Sequence, residues 1–123
     1  MARKDLTLDA DPFPRLVFKN HYPGFAENTE KWIDICEGVM RSTAGRSSYL
    51  ESGAAQSSVT NRDSSPHKLA VFKPFYDWLW PKVQEVMFMQ WDFNPDVDYW
   101  VSDSWINWHD RGGQTLEHTH GYS

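Results

Sequence analysis

The spacing of apolar residues changes character near residues 92–98, and this change constrains the fold more than any other feature of the chain. Before it, apolar side chains recur three and four positions apart. After it, aromatic and β-branched residues crowd together. Trp32, Ile35, Cys36, Val39 and Met40 predict an amphipathic helix of about four turns. Asn28 is its expected N-cap, since a short polar side chain accepts a bond from an orphan backbone N–H. Glu30, Lys31, Asp34 and Glu37 fall largely elsewhere on that helix, and Gly38 weakens it slightly. Leu69, Phe72, Tyr76, Leu79, Val83 and Val86 predict further helix between His67 and Met89. Pro74 and Pro81 interrupt it, because proline removes a donor and crowds the preceding turn. A short helix is therefore expected to end near Lys73, with a longer one beginning near Pro74 and open to a kink at Pro81. Residues 99–108 then read as a strand apolar on parts of both faces, Arg111-Gly112-Gly113 breaks it, and residues 114–120 read as a second short strand. An earlier strand is expected over residues 15–19 (RLVFK), ahead of a Pro23-Gly24 turn. The expected class is α+β, with a core that includes Trp32, Ile35, Val39, Leu79, Val83, Trp105 and Ile106.

Between the helical segments, residues 41–66 are rich in Ser, Gly, Ala, Thr and Asn. Loops of this length are usually binding loops or disordered connectors. This one is expected to be a flexible polar loop without secondary structure, either a lid or a connector. With 123 residues the chain is expected to form one domain.

Composition excludes several function classes. There are 12 Lys plus Arg against 17 Asp plus Glu, a net charge of -5, and no block of like charge. A nucleic-acid binder would cluster its cations, so nucleic acid is not an expected partner. No run approaches the ~20 apolar residues of a membrane helix, and the N-terminus lacks the apolar stretch of a secretory signal. Cys36 is the single cysteine, which rules out an internal disulfide. A reduced, cytoplasmic protein is expected. Aromatic residues make up 15% of the chain, seven of them Trp, enough to dominate a small core or to form a ligand platform.

Candidate chemistry gathers at the C-terminal end. Residues two apart on a strand point to the same face, so His118 and His120 would present two imidazoles on one side. Their spacing allows a shared metal, although imidazole suits Fe, Zn, Cu and Ni alike. Two solvent-facing histidines satisfy the same pattern. A tight hairpin around residues 110–113 would bring Asp103 opposite His120 as a third ligand; otherwise Asp103 is a surface carboxylate. His109 reads as a rim or hairpin residue, with a metal role as its alternative, His21 and His67 as solvated residues beside turns, and Cys36 as a buried, inert thiol. No phosphate-binding glycine loop and no nucleophile elbow occur.

The stretch SWINWHDRGGQTLEHTHGYS (residues 104–123) resembles the central motif of a family of 2-oxoglutarate- and Fe(II)-dependent oxygenases of marine bacteria and their phages. The similarity lies in a Trp-x-Asn strand, a glycine turn and a His-x-His motif entering the catalytic β-barrel. It is specific over about the last twenty residues. The resemblance implies that the N-terminal strand and helices pack on the beginning of a double-stranded β-helix, or jelly roll, that is incomplete here. It also implies an iron held by His118, with His120 where the family usually has a carboxylate, and Asn107 as a polar residue lining the cofactor pocket. The site would then be a three-His variant, or His120 has another role, because the common arrangement is two His and one carboxylate. A distal His and a 2-oxoglutarate-binding Arg are expected beyond Ser123, so the chain is expected to be the N-terminal part of such an oxygenase and inactive alone. The family topology places the two C-terminal strands in opposite sheets, against the hairpin that Asp103 would need.

The implied cofactors are Fe(II) and 2-oxoglutarate, and the implied reaction couples decarboxylation to succinate with hydroxylation of a C–H bond on a small-molecule or protein substrate. An unpaired strand edge would favour homo-oligomers. The rival expectation is a non-catalytic binding or structural protein built on a jelly-roll remnant, with its aromatic residues as anchors.

Overall fold

The computed structural model describes residues 17–44 and 50–120. Helix α1 spans Phe25–Ser42 and helix α2 spans Lys73–Met89. The strands are β1 (Glu51–Ser52), β2 (Ala55–Ser57), β3 (Asn107–His109) and β4 (Gln114–Thr115). Three short 3-10 turns, Arg62–Ser64, Pro66–Lys68 and Ala70–Phe72, lead into α2. The class is α+β. Among the described residues, no helix is long and apolar enough to cross a membrane.

Helix α1 begins earlier than the sequence pattern predicts. The Pro23-Gly24 turn closes with the Phe25 N–H donating to the Tyr22 carbonyl at 3.1 Å, and the helix propagates from there. Asn28 is therefore not the N-cap. It lies in the first turn, where its Nδ2 donates back to the Gly24 carbonyl at 2.7 Å. At the other end, the Ser42 and Thr43 hydroxyls both donate to the Val39 carbonyl at 2.8 Å, covering an acceptor that the helix leaves open. Asn61 Nδ2 then donates to Thr43 Oγ1 at 3.0 Å and fastens the polar stretch to the helix end.

That polar stretch is not devoid of structure. Its strands β1 and β2 supply one side of both sheets. β2 pairs antiparallel with β3, setting Ala55 opposite His109 and Ser57 opposite Asn107, while β1 pairs antiparallel with β4, setting Glu51 opposite Thr115. The two small sheets are the halves of one antiparallel ribbon. Ser58 and Ile106 continue it at one end through an N–H to carbonyl bond of 2.9 Å, and the Leu116 N–H closes it on the Leu50 carbonyl at 2.7 Å. Between the halves, residues 110–113 form a turn in which the Gly113 N–H donates to the Asp110 carbonyl at 2.9 Å. The longer side of the ribbon is thus kinked as at a bulge. Gly53, with φ of +66°, faces this kink, where any Cβ would meet the Gly112 carbonyl oxygen.

The observed elements shorten or remove the expected strands, and the alternative hairpin does not form. The strands around residues 99–108 and 114–120 shorten to β3 and β4, because among the described residues their ladder partners lie within residues 50–58. β3 and β4 do not pair with each other, so no hairpin brings Asp103 to His120. Of the strand expected over residues 15–19, residues 17–19 are irregular, and 15 and 16 lie outside the described residues. Pro74 falls in the first turn of α2, where a missing N–H costs little, and Pro81 lies inside the helix, leaving the Asp77 carbonyl without its intrahelical donor.

Among the described residues, Val39, Met40, Ala55, Phe72 and Met87 are the buried apolar ones. Trp32, Ile35, Leu79, Val83 and Ile106 are half-buried, and Trp105, expected in the core, is 40% exposed. Aromatic rings join the helices: Trp32 packs against Phe72 and Phe75 with centroids 5.5 and 5.7 Å apart.

Candidate functional site

The candidate site is the extended segment that leaves β4. Among the described residues its last ladder bond is at Leu116, and residues 117–120 carry no regular secondary structure. The Leu116 carbonyl accepts a bond from His118 Nδ1 at 2.8 Å. A carbonyl can only accept, so Nδ1 carries the proton and the Nε2 lone pair of His118 is left for a ligand. His120 lies beside it, with ring centroids 5.0 Å apart and planes inclined by 63°. Both side chains are exposed. The two-residue spacing therefore does bring these imidazoles together.

The other sequence candidates are placed elsewhere. Asp103 faces Arg62 at 3.4 Å, an ion pair that ties the first 3-10 turn to the strand region. Asn107 is exposed on β3 opposite Ser57. His67 is not solvated as expected. It is half-buried, its Nδ1 lies 2.6 Å from Ser104 Oγ, and its backbone N–H donates to the same oxygen at 3.1 Å. Cys36 is half-buried on α1, and burial pushes its thiol pKa up, consistent with an inert thiol. Among the described residues, no group of three or more His, Cys, Asp or Glu side chains is placed to hold a metal.

One residue of this region escaped sequence reasoning. The Glu51 side chain is 3% exposed and accepts a bond from the Thr115 hydroxyl at 2.9 Å. With its hydrogen so committed, Thr115 Oγ1 can only accept from His109 Nε2, which lies 2.9 Å away. His109 Nε2 is also 3.4 Å from the Glu51 carboxylate. This chain of groups locks β4 three residues before His118. Nothing local marks Glu51 in a stretch of Ser, Gly and Ala; the burial comes from the strand that covers it.

A second concave feature lies on the helical side. Tyr22, Phe25, Phe75, Trp78, Val83 and Trp91 help line a groove of about 580 Å³, with Asn20, His21 and Lys82 as its polar members. None of the residues His109, His118 and His120 lines it.

Comparison with known proteins finds no matching family model, no matching curated protein and no matching solved structure.

Proposed function

We propose that this chain is the N-terminal part of a 2-oxoglutarate- and Fe(II)-dependent oxygenase of the hydroxylase type, with its ribbon as the start of a jelly roll and its iron site begun by His118 and His120. The observation that carries the reading is the juxtaposition of these two rings, with Nδ1 of His118 held by a backbone carbonyl and Nε2 left over. That second bond is the usual way a metal-binding histidine is oriented.

The fit to iron is partial. Two imidazoles are supplied, and the described residues add no third ligand at the pair. In this reading a third ligand completes the site from outside the described residues. When bound, the metal with 2-oxoglutarate would supply the oxidising chemistry. The residues present here would contribute binding and orientation: His118 through its fixed tautomer, His120 through a neighbouring ring, and Glu51–Thr115 by anchoring the strand that delivers them. Asn107 is assigned to the cofactor in this reading by the resemblance of its Trp-x-Asn strand. A cytoplasmic setting and a small-molecule or protein substrate belong to the same proposal.

The test has two stages. Anaerobic titration of the 123-residue chain with Co(II), followed by proton NMR, should broaden the imidazole signals of His118 and His120 first, and His118→Ala should remove the effect. Succinate release from 2-oxoglutarate is then measured for this chain and for any in-frame extension of it. No release by the short chain and His118-dependent release by the extended one is the expected result. An extended chain with intact ligands that releases no succinate would leave a non-catalytic binding protein as the better reading.

A further inference from the structure

The groove on the helical side has the size and lining of a small-molecule site. Its volume of about 580 Å³ falls in the usual range for such pockets, and its wall is aromatic with few polar groups. Tyr22 forms the hub, with ring centroids 5.3 Å from Phe75 and 5.2 Å from Trp78. Phe25 and Trp91 remain 51% and 57% exposed at its edge, an apolar display that a closed core would have covered.

The polar end of the groove is cationic. Lys82 stands one helical turn after Trp78, and its Nζ sits 4.4 Å from the Trp78 ring centroid. Among the described residues no carboxylate comes within 4.0 Å of that ammonium. Glu85 lines the adjoining cleft with Lys82 but does not reach it. The other lysine of the same helix is ion-paired: Lys73 Nζ is 2.7 Å from Asp77. The net charge of -5 repels anions at a distance, but that field is screened beyond ~8 Å at physiological salt. Inside the groove the nearest charge decides.

We propose that this groove binds a small carboxylate with a flat aromatic body, the ring packed among Tyr22, Phe75 and Trp78 and the carboxylate on Lys82. Aromatic walls favour an aromatic guest through offset and edge-to-face contacts. An ammonium held against an indole, with no carboxylate partner, selects an anion over an isosteric neutral group. The site is independent of the histidine pair, so neither reading depends on the other.

The probes are 2-naphthoate and its neutral isostere 2-naphthamide, titrated calorimetrically into the 123-residue chain. Saturable binding of both is expected, with the acid about tenfold tighter, the scale of one charge-assisted contact. Lys82→Met keeps most of the stem and should abolish the preference while leaving amide affinity unchanged. Val83→Trp should fill the groove and weaken both ligands, with circular dichroism confirming that the helices persist. His118→Ala should change neither. Absence of saturation in the native chain, equal affinity for acid and amide, or a preference that survives Lys82→Met would each overturn the proposal. So would a dimer by sedimentation that Val83→Trp converts to monomer, because a second copy would then be the occupant.

Discussion

Glu51 and Thr115 face each other across β1 and β4, the carboxylate accepting the threonine hydroxyl at 2.9 Å while the Glu51 side chain is almost wholly enclosed. Sixty-four residues separate them in sequence. The contact joins the polar stretch after α1 to the strand that carries His118 and His120, so the fold of one determines the placement of the other.

Removing the carboxylate should therefore be costly. Glu51→Ala leaves the Thr115 hydroxyl without its acceptor, takes the carboxylate from beside His109 and opens a void beneath the ribbon. A loss of about 1–3 kcal/mol is expected, read as a lower midpoint in urea unfolding. Glu51→Gln keeps an acceptor for Thr115 and should lose less. Equal loss in both variants would show that charge, not the bond, holds the strands.

The glycines give a paired expectation. Gly53→Ala forces a Cβ onto the Gly112 carbonyl at a left-handed backbone position, and should destabilise by about 1–2 kcal/mol or more. Gly38→Ala sits within α1, where the added Cβ meets no side chain closer than Arg41 Nη2 at 3.9 Å, and should stabilise by about 0.5–1 kcal/mol through helix propensity. Thermal melts of the two single variants should move in opposite directions.

The Cys36 thiol, its pKa raised by burial, should alkylate slowly with iodoacetamide at neutral pH and rapidly in denaturant. The sign of the pH effect follows. The folded chain holds this proton more tightly than the unfolded chain, so the contribution to stability is full below the unfolded thiol's pKa. It falls as pH rises from there through the folded value. Cys36→Ser should lessen that alkaline loss.

Metal affinity of the His118–His120 pair should depend on both rings, since each imidazole contributes one ring-nitrogen lone pair. Co(II) titrations of the chain and its variants would measure it. Loss of binding in either single alanine variant is expected, because one exposed imidazole is a weak site. Binding that survives both substitutions would place the metal elsewhere.

Thr43 and Asn61 connect α1 to the stretch that follows. Asn61→Ala should cost about 1 kcal/mol by removing this bond, without altering helix content by circular dichroism.

The helices were legible in the sequence because their signal is local: Trp32, Ile35, Val39 and Leu79, Val83, Val86 fall at the spacing of one helical face. The proximity of His118 and His120 was legible for the same reason, as was the glycine turn at residues 110–113. The start of α1 was misread at Asn28, since the Pro23-Gly24 turn supplied an earlier nucleus. What local pattern could not reveal was the partner of each strand. Residues 50–58 carry no alternating apolar signal, yet they form the ladder for residues 106–116, because paired backbone groups need a complementary edge and not a particular side chain. The burial of Glu51, the engagement of His67 by Ser104, the removal of Asp103 to Arg62 and the groove around Tyr22 all follow from that long-range pairing and from the meeting of the helices. Such contacts are decided by which surfaces exclude water together, and only the tertiary structure brings those surfaces into contact.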